Sequence, residues 1–428
     1  MTKKSKPDHS TEPMPAFGHA IVIGSSTAGL TAARVLADYF AQVTIIERDE
    51  LSTTPEYRRG LPQTRHAHSL PVRGQTILEQ LFPGLLDELV ANGAIPINSG
   101  SEMAFFIAGK WHEVKHNSAT VSMTSSRPLL DTTIYRRLLA LPNVRVIQER
   151  EVAGLAVDGW GQRVAGVRLR GRQGLRRRET IVAADLVLDA SGRNSRAPEW
   201  LAELGYTPPG ESIIDAFSGY ASRFYRRPAD FSGSWKTLYV RPSPPHQSRG
   251  GLLIPIEGER WHVTLIGMGG DYPPTDPDSF MEFARSLPTP QLYEAIKAAE
   301  PLTSPWGYRS TANRVRHYDQ LPRYLEGFLV TGDAVYTLNP VYAQGMTAAV
   351  LGSEALAHTL AEQMPGDLAG LAQAFQTRLK QAVASAWQMA TREDQRWPNT
   401  EVVQLYNPDA PRRPQVVTQI LSLEALAA

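Results

Sequence analysis

Gly332-Asp333-Ala334-Val335-Tyr336-Thr337-Leu338-Asn339-Pro340-Val341-Tyr342-Ala343-Gln344-Gly345-Met346 decides how this chain is read. The apolar run Phe328-Leu329-Val330-Thr331 leads into it and has the length of a buried strand. A helical pattern from Met346 to Glu362 follows, carrying Ala348, Ala349, Val350, Leu351, Ala355, Leu356 and Leu360. An aspartate at a strand's end can accept hydrogen bonds from the hydroxyls of a ribityl chain. The N-terminus of the next helix offers free N–H groups and a positive dipole end. Those suit the N1–C2=O edge of a flavin, which becomes negative on reduction. A Gly-Asp pair alone also describes a turn capping a core helix; the fifteen-residue string is far more specific.

Some 300 residues earlier stands a second nucleotide signature. Ala20-Ile21-Val22-Ile23 is a strand-length apolar run, followed by Gly24-Ser25-Ser26-Thr27-Ala28-Gly29. Leu30, Ala33, Val35, Leu36, Ala37 and Phe40 then form an apolar helical face, and Val43-Thr44-Ile45-Ile46 is a second strand. This is a β-α-β unit. Gly24 permits the sharp turn, Gly29 permits close helix–strand packing, and the helix N-terminus suits a pyrophosphate. Glu47 stands where an acid accepts from the adenosine ribose. Ser26 replaces the middle glycine of the fingerprint. Together the two segments point to one FAD, with its adenylate half on Gly24, Ser26, Thr27, Ala28, Gly29 and Glu47. Its ribityl chain and ring fall on Gly332, Asp333, Gln344, Gly345 and Met346.

The rest of the chain narrows the class. The 428 residues are 42% hydrophobic and 20% charged, a soluble globular balance with room for two to three domains. A formal net charge of +1 gives no reason to expect nucleic acid. No stretch has the roughly 18 uncharged apolar residues of a membrane span. The polar, Pro-bearing segment before Ala16 reads as a disordered leader, not a secretory signal, so the cytoplasm is the expected compartment. There are 0 cysteines, which excludes disulfides, a thiolate metal site, a flavin disulfide reductase and a cysteine-tethered flavin. His66 and His68 sit two apart in the polar loop Arg58 to His68; without a third ligand nearby they read as loop packing and hydrogen bonding, not as a metal pair.

Val152 to Ala190 reads as a β-meander, with Arg168, Arg170, Arg172, Arg176, Arg177 and Arg178 on a solvated hairpin. Its last strand ends at Asp189-Ala190-Ser191-Gly192. Strand patterns at Gly219–Tyr225, Trp235–Val240, Gly250–Ile256 and Arg260–Gly267, separated by Pro-rich loops, make an antiparallel insert. Trp235, Tyr239, Trp261 and Trp306 either line an apolar pocket there or fill its core. Leu368 to Asp394 is a further amphipathic helix. The fold class is α/β: a discontinuous Rossmann-type FAD-binding domain (17–75, 120–210 and 311–365) with an inserted antiparallel β-sheet substrate domain (76–119 and 211–310). A leader (1–16) and a C-terminal helical segment (366–428) complete the chain.

At these residues the chain resembles the FAD-dependent monooxygenases of the para-hydroxybenzoate hydroxylase fold. Within that fold it is most similar to the branch of polyether-pathway epoxidases and squalene epoxidase. The segments that carry the resemblance are Gly24 to Leu30, Arg58 to His68, Ser126-Arg127-Pro128-Leu129-Leu130, Asp189-Ala190-Ser191-Gly192-Arg193 and Gly332 to Met346. A serine at the position of Ser26 is usual in that branch. The resemblance implies Arg127 near the FAD phosphates or ribityl chain, and Gly345 and Met346 backbone groups at the pyrimidine edge. Arg48, Arg59 and Gln63 complete the expected cofactor residues. It further implies insertion of one oxygen atom from O2, through a flavin C4a-hydroperoxide, into a small apolar or aromatic substrate. FAD is held without a covalent bond, no side chain is a catalytic nucleophile, and electrons come from NAD(P)H.

Two departures bear on this. Many aromatic hydroxylases carry Asp-Gly-x-x-Ser-x-x-Arg where this chain has Ser191-Gly192-Arg193-Asn194-Ser195-Arg196-Ala197-Pro198. Ser191 and Pro198 break a motif tied to NADPH, so a separate flavin reductase is a candidate electron donor. Flavin halogenases carry tryptophans before an Ile-Pro and a catalytic lysine; Leu253-Ile254-Pro255 lacks those tryptophans. Two other readings stay open: an FAD-dependent reductase or dehydrogenase of a prenyl-type lipid, and a non-catalytic flavin-binding redox sensor.

Overall fold

The structure, a computed structural model, describes residues 16–58, 60–68, 70–113, 121–171, 179–405 and 416–417. The expected leader before Ala16, Arg59 and the arginines from Arg172 to Arg178 lie outside the described residues.

Five strands form a parallel sheet: β1 (Phe17–Ile23), β2 (Phe40–Ile46), β3 (Val144–Ile147), β4 (Leu186–Asp189) and β5 (Phe328–Val330). Their order is β5-β4-β1-β2-β3, so β1 lies at the centre. Ala20, Ile21, Val22, Leu186, Val187 and Leu188 are fully buried, because both faces of the sheet are covered. Helix α1 (Thr27–Ala37) packs against the long helix α3 (Gly345–Ala361), which packs on α4 (Leu371–Asp394). Helix α2 (Arg127–Leu139) lies beside α1. The meander strands Arg150–Val157, Val164–Gly171 and Thr180–Ala183 pair with one another and close the same core. The Leu186–Asp189 run leaves the meander and enters the parallel sheet between β1 and β5. The chain has the expected α/β class, with antiparallel sheets beside the Rossmann-like one.

A seven-stranded sheet forms the second layer, built from Gly219–Arg226, Arg260–Gly267, Arg249–Ile256, Thr237–Val240, Trp306–Tyr308 and the hairpin Met103–Ile107/Lys110–Glu113. Alternation gives it two faces. Ala221, Tyr225, Leu238, Leu253, Trp261, Val263 and Leu265 join the core completed by the helices Pro277–Arg285 and Gln291–Ile296. The opposite face turns toward the parallel-sheet layer. Across it, residues in register form a row: Ser222, Thr264, Leu252, Tyr239 and Phe105.

Three features depart from the segment reading. Helices Val72–Leu81 and Leu85–Ala91 place Ile77, Leu78, Leu85 and Leu89 in the core of the β-α-β unit, whereas Met103–Glu113 joins the seven-stranded sheet. The described part of 76–119 is thus shared between the layers. Beyond α4, Glu401–Leu405 is a strand paired antiparallel with Glu211–Asp215, as the β-branched pair Val402-Val403 favours. Trp235 and Trp261 pack with Phe231 on the helix-covered face, so they are core residues and not pocket lining. Among the described residues no helix is long and apolar enough to cross a membrane.

Candidate functional site

The first end of the site is the turn between β1 and α1. Gly24 has φ +96°, and a Cβ there would lie 2.7 Å from the carbonyl oxygen of Ala190. A Cβ on Gly29 would collide with the Gly24 carbonyl, so this helix can approach its strand only with glycine at that position. Ser26 precedes α1 in extended conformation and makes no side-chain cap. The N–H groups of the first turn remain available to an anion. Arg127 crosses above them. Its Nη2 donates to Thr27 Oγ1 at 2.5 Å and Ser26 Oγ at 3.2 Å, and its Nε donates to Asp131 Oδ1 at 2.8 Å. A buried cation in the first turn of its own helix opposes the helix dipole, and Asp131 one turn on offsets that.

Glu47 follows the last residue of β2 and is turned back onto this loop. Its carboxylate accepts from Ser25 N at 3.0 Å, Ser25 Oγ at 2.6 Å and Asp49 N at 3.0 Å. Arg58 donates to Ser25 Oγ at 2.7 Å and to the Ser25 carbonyl at 3.1 Å, and its Nη1 lies 3.7 Å from Glu47. A cleft of about 290 Å³ opens here, lined by Ser25, Tyr57, Arg58 and Tyr135 with the carboxylates Asp49, Glu50, Glu56, Asp131 and Glu149. So acidic a wall disfavours phosphate and suits the uncharged adenosine end of a dinucleotide.

The second end follows β5. Gly332 has φ +62°, and a Cβ there would lie 2.6 Å from Ala28 Cβ, so this turn rests on the start of α1. Farther along the same two helices, Thr31 Oγ1 and Ser353 Oγ are hydrogen-bonded at 2.7 Å. Asp333 is half-buried and its carboxylate has no hydrogen-bond partner among the described residues. Burial pushes its carboxyl above the ordinary value, against the nearby charges of Arg193, Arg127 and Arg314. The influence of Arg127 on Asp333 ties the two ends to one space.

Past Asp333, Asn339 Oδ1 accepts from Val341 N at 3.1 Å, and Ala343 takes a left-handed φ of 55°. Gln344 then caps α3, its Nε2 donating to the Tyr342 carbonyl at 3.2 Å. Ala348 N is the first to bond within the helix, to Gln344 O at 2.9 Å. The N–H groups of Gly345 and Met346 have no partner among the described residues, and a Cβ on Gly345 would meet nothing within 4 Å. An open face therefore lies at the head of α3. The structure thus brings Gly24, Ser26, Thr27, Ala28, Gly29, Arg127, Gly332 and Asp333 together, with Gln344, Gly345 and Met346 at the far edge. Arg48 stays exposed at the rim, where it donates to the Gly60 carbonyl at 3.3 Å. Gln63 lies in the turn Pro62–Arg65, its carbonyl accepting from His66 N at 3.1 Å.

Above this end stands the row-bearing face of the seven-stranded sheet. His66 Nδ1 bonds Ser222 Oγ at 2.8 Å, and Ala67 N donates to Thr264 Oγ1 at 3.2 Å. The His66 ring meets Tyr220 edge-on at 4.6 Å, and Tyr220 stacks on Tyr308 at 5.4 Å. Burial holds His66 down to about 4 and His262 down to about 3, so both rings are neutral near pH 7. His68 Nδ1 is engaged by the His66 carbonyl at 2.8 Å. Past the part of the row that this loop covers, Leu252, Tyr239 and Phe105 are half-buried. Tyr239 and Val341 pack on one apolar cluster beside the Asn339–Gln344 loop. Arg58, Arg193, Tyr220, Tyr308 and Asp394 escaped the site reading of the sequence. Arg58 and Arg193 lie in the segments Arg58 to His68 and Asp189 to Arg193; no local pattern marks the other three.

Glycine cradle, free helix heads and unpartnered Asp333 fit FAD. Residues 19–392 match the FAD binding domain family, and the chain belongs to it. It is 36% identical over 361 residues to Protein Rv3254 of Mycobacterium tuberculosis, across 82% of this chain and 75% of that protein. The fold is shared with p-nitrophenol 4-monooxygenase PnpA from Pseudomonas putida DLL-E4, at TM-score 0.62 and 17% identity over 89% of each chain. It is shared also with the flavin-dependent brominase Bmp2, at TM-score 0.62 and 19% identity over 88% of this chain and 89% of that one. The protein is an FAD-dependent oxidoreductase of the para-hydroxybenzoate hydroxylase-type fold.

Proposed function

We propose that this enzyme is a monooxygenase that inserts one oxygen atom of O2 into a small apolar or aromatic molecule, by epoxidation or hydroxylation. The observation that carries the substrate class is the half-buried trio Leu252, Tyr239 and Phe105, which offers apolar surface beside the open head of α3. When bound, the flavin supplies the oxygen chemistry. The chain's own residues bind and orient. The α1 N–H groups, Thr27 and Arg127 hold the pyrophosphate, and Glu47 with Arg58 borders the adenosine. Asp333 accepts from the ribityl hydroxyls, and Gly345 and Met346 N–H groups meet the pyrimidine edge. The apolar wall and the neutral His66 loop keep water from the reacting face.

Electrons come from NAD(P)H, and the broken motif at Ser191 and Pro198 favours delivery through a flavin reductase. Bromination is the weaker reading despite the shared fold. The described lysines, Lys110, Lys236, Lys297 and Lys380, are all exposed, and the last three pair with Glu102, Glu294 and Asp319. Turnover with a flavin reductase, NADH and a panel of alkenes and arenes under ¹⁸O2 tests the proposal. One labelled oxygen per product is expected. Saturated product formed without O2 would replace the reading with a reductase. No product, with protein-bound reduced flavin reoxidising no differently from free flavin, would end it.

A further inference from the structure

Tyr220 and Tyr308 stand opposite each other on the adjacent strands Gly219–Arg226 and Trp306–Tyr308, and their rings stack at 5.4 Å with 22° between the planes. Neither hydroxyl has a hydrogen-bond partner among the described residues. Tyr220 is 5% exposed, and a phenol buried that far is costly when idle. The hydroxyls of Tyr57 and Tyr318 are unpartnered too, but they are sealed; those of Tyr220 and Tyr308 are not. Both therefore open onto reachable space. Arg193 is fixed at the same corner. Its Nη1 donates to the carbonyls of Ser310 at 2.9 Å and Ala312 at 3.2 Å, just past Tyr308. Thr311, between them, donates to the Ser218 carbonyl at 2.6 Å, just before Tyr220. The Nε and Nη2 of Arg193 are unengaged, and no carboxylate pairs with it among the described residues. Its charge and that of Asp333 act on both phenols. Burial pushes both phenols above the ordinary tyrosine value, so each keeps its proton. The corner adjoins the apolar wall. Tyr220 is opposite Ile266 on the next strand, and Ile266 shares a cluster with Tyr239 and Val341. From Tyr220 to Tyr239 the sheet runs over three strand spacings, or roughly 14 Å.

We propose that Arg193, Tyr220 and Tyr308 form a subsite for an anionic oxygen, such as a carboxylate, at one end of the substrate, whose apolar body lies along the wall toward Tyr239. This rests on the reading of that wall as the substrate surface. Each of the three groups can donate a hydrogen bond, and the guanidinium can only donate. A ligand that engages them all must bring lone pairs. Charge then selects among such ligands. Arg314 donates to the Arg193 carbonyl and, like Arg193, pairs with no carboxylate among the described residues. Two cations thus face the one carboxylate of Asp333, which both of them influence. A carboxylate has lone pairs enough for all three donors, and bonds to it are shorter and stronger than bonds to a neutral oxygen. The polar atoms of the flavin are the competing occupant.

Calorimetric titration of the oxidised, FAD-loaded enzyme tests this, with phenylbutanoate, phenylhexanoate and phenyloctanoate, each carrying its ring at the far end and each set beside its primary amide. At least one acid should bind about tenfold more tightly than its amide, the worth of a charge-assisted hydrogen bond over a neutral one. Arg193→Gln should erase that preference. Tyr220→Phe and Tyr308→Phe should each weaken the acid about tenfold, with FAD content and melting as in the wild type. Tyr308 is half-buried at the sheet edge, so its variant serves should Arg193→Gln fold poorly. Acids that bind no better than their amides, or a preference that survives in all three variants, would overturn the proposal. Loss of FAD from the tyrosine variants would give the hydroxyls to the cofactor and overturn it as well. The preference without labelled product would keep the subsite and overturn the monooxygenase reading. Labelled product from neutral molecules, with no preference for acids, would do the reverse.

Discussion

At the adenylate end the polar side chains of the cradle are already engaged: Glu47 accepts three hydrogen bonds, Arg58 holds Ser25, and Arg127 spans Thr27 and Asp131. At the flavin end Asp333 and the Gly345 and Met346 N–H groups face open space, and the loop between them is held from behind by Asp394. The first end is a preformed socket whose parts stabilise one another before any ligand arrives. The second presents unpaired groups that, on the proposed reading, the cofactor would partner. Mutations should therefore damage folding at the first and ligand binding at the second.

The largest contrast comes from one kind of change at both ends. Gly29→Ala drives a methyl into the Gly24 carbonyl, and overpacking of this kind costs about 1–3 kcal/mol or more. It should yield protein that melts markedly lower and does not retain flavin. Gly345→Ala points its methyl into free space, so melting should move by no more than about 0.5 kcal/mol, while FAD affinity drops. Thermal melts of both apoproteins, followed by flavin titration, check this; equal destabilisation would dissolve the distinction.

A smaller contrast separates Arg127 from Asp333. Arg127→Ala leaves Asp131 buried without its 2.8 Å partner and should lower both stability and affinity. Asp333→Ala removes a carboxyl whose ionised form burial disfavours, so the apoprotein should be at least as stable near pH 7. Its FAD affinity should fall by the loss of charge-assisted hydrogen bonds, about 1.5–3 kcal/mol. Calorimetric unfolding beside flavin titration separates the two outcomes, and an Asp333→Ala protein that melts lower would assign the aspartate a structural role.

The seam between the layers should respond to acid. His66 and His262 titrate below the usual histidine value because burial favours the neutral ring. Their contribution to stability is complete above the unfolded value of about 6.5 and is lost as pH falls through about 4 and about 3. Unfolding free energy should thus decline from about pH 6.5 downward. In His66→Gln, which cannot gain that charge, the decline should be shallower; an identical slope would rule the ring out as its source. The smallest expected effect concerns electron delivery. With Ser191 and Pro198 in the motif, NADPH alone should reduce the flavin slowly in anaerobic stopped-flow, and rapid bleaching would show that neither residue matters for it.

How much of this was legible in the sequence follows the same division. The β-α-β unit is local: apolar runs, Gly24, Gly29 and Glu47 fall within thirty residues, and each element matches its pattern except at Phe40, which opens β2 instead of closing the helical face because the helix ends at Ala37. Gly332 to Met346 was also readable because strand, turn and helix follow one another there. The meeting of the two ends through Gly332 and Ala28 depends on backbone spacing that no pattern encodes. The apolar wall was half legible: its strands showed, but which face Trp235, Tyr239 and Trp261 take depends on register and on helices Pro277–Arg285 and Gln291–Ile296. Asp394 left no trace, since its partners Asn339 and Asn313 lie 55 and 81 residues away.

The central claim is that both ends grip one dinucleotide, and competition among FAD, FMN and AMP for the apoprotein tests it most directly. Calorimetric titration should find FAD bound at least about a thousandfold more tightly than either half, because linking two contacts multiplies their affinities. FMN and AMP should each be displaced by FAD and should bind alongside one another. FMN binding as tightly as FAD would show that the Gly24–Glu47 end is idle. AMP binding as tightly as FAD would show the same of Asp333 and the head of α3, and either result would contradict the account.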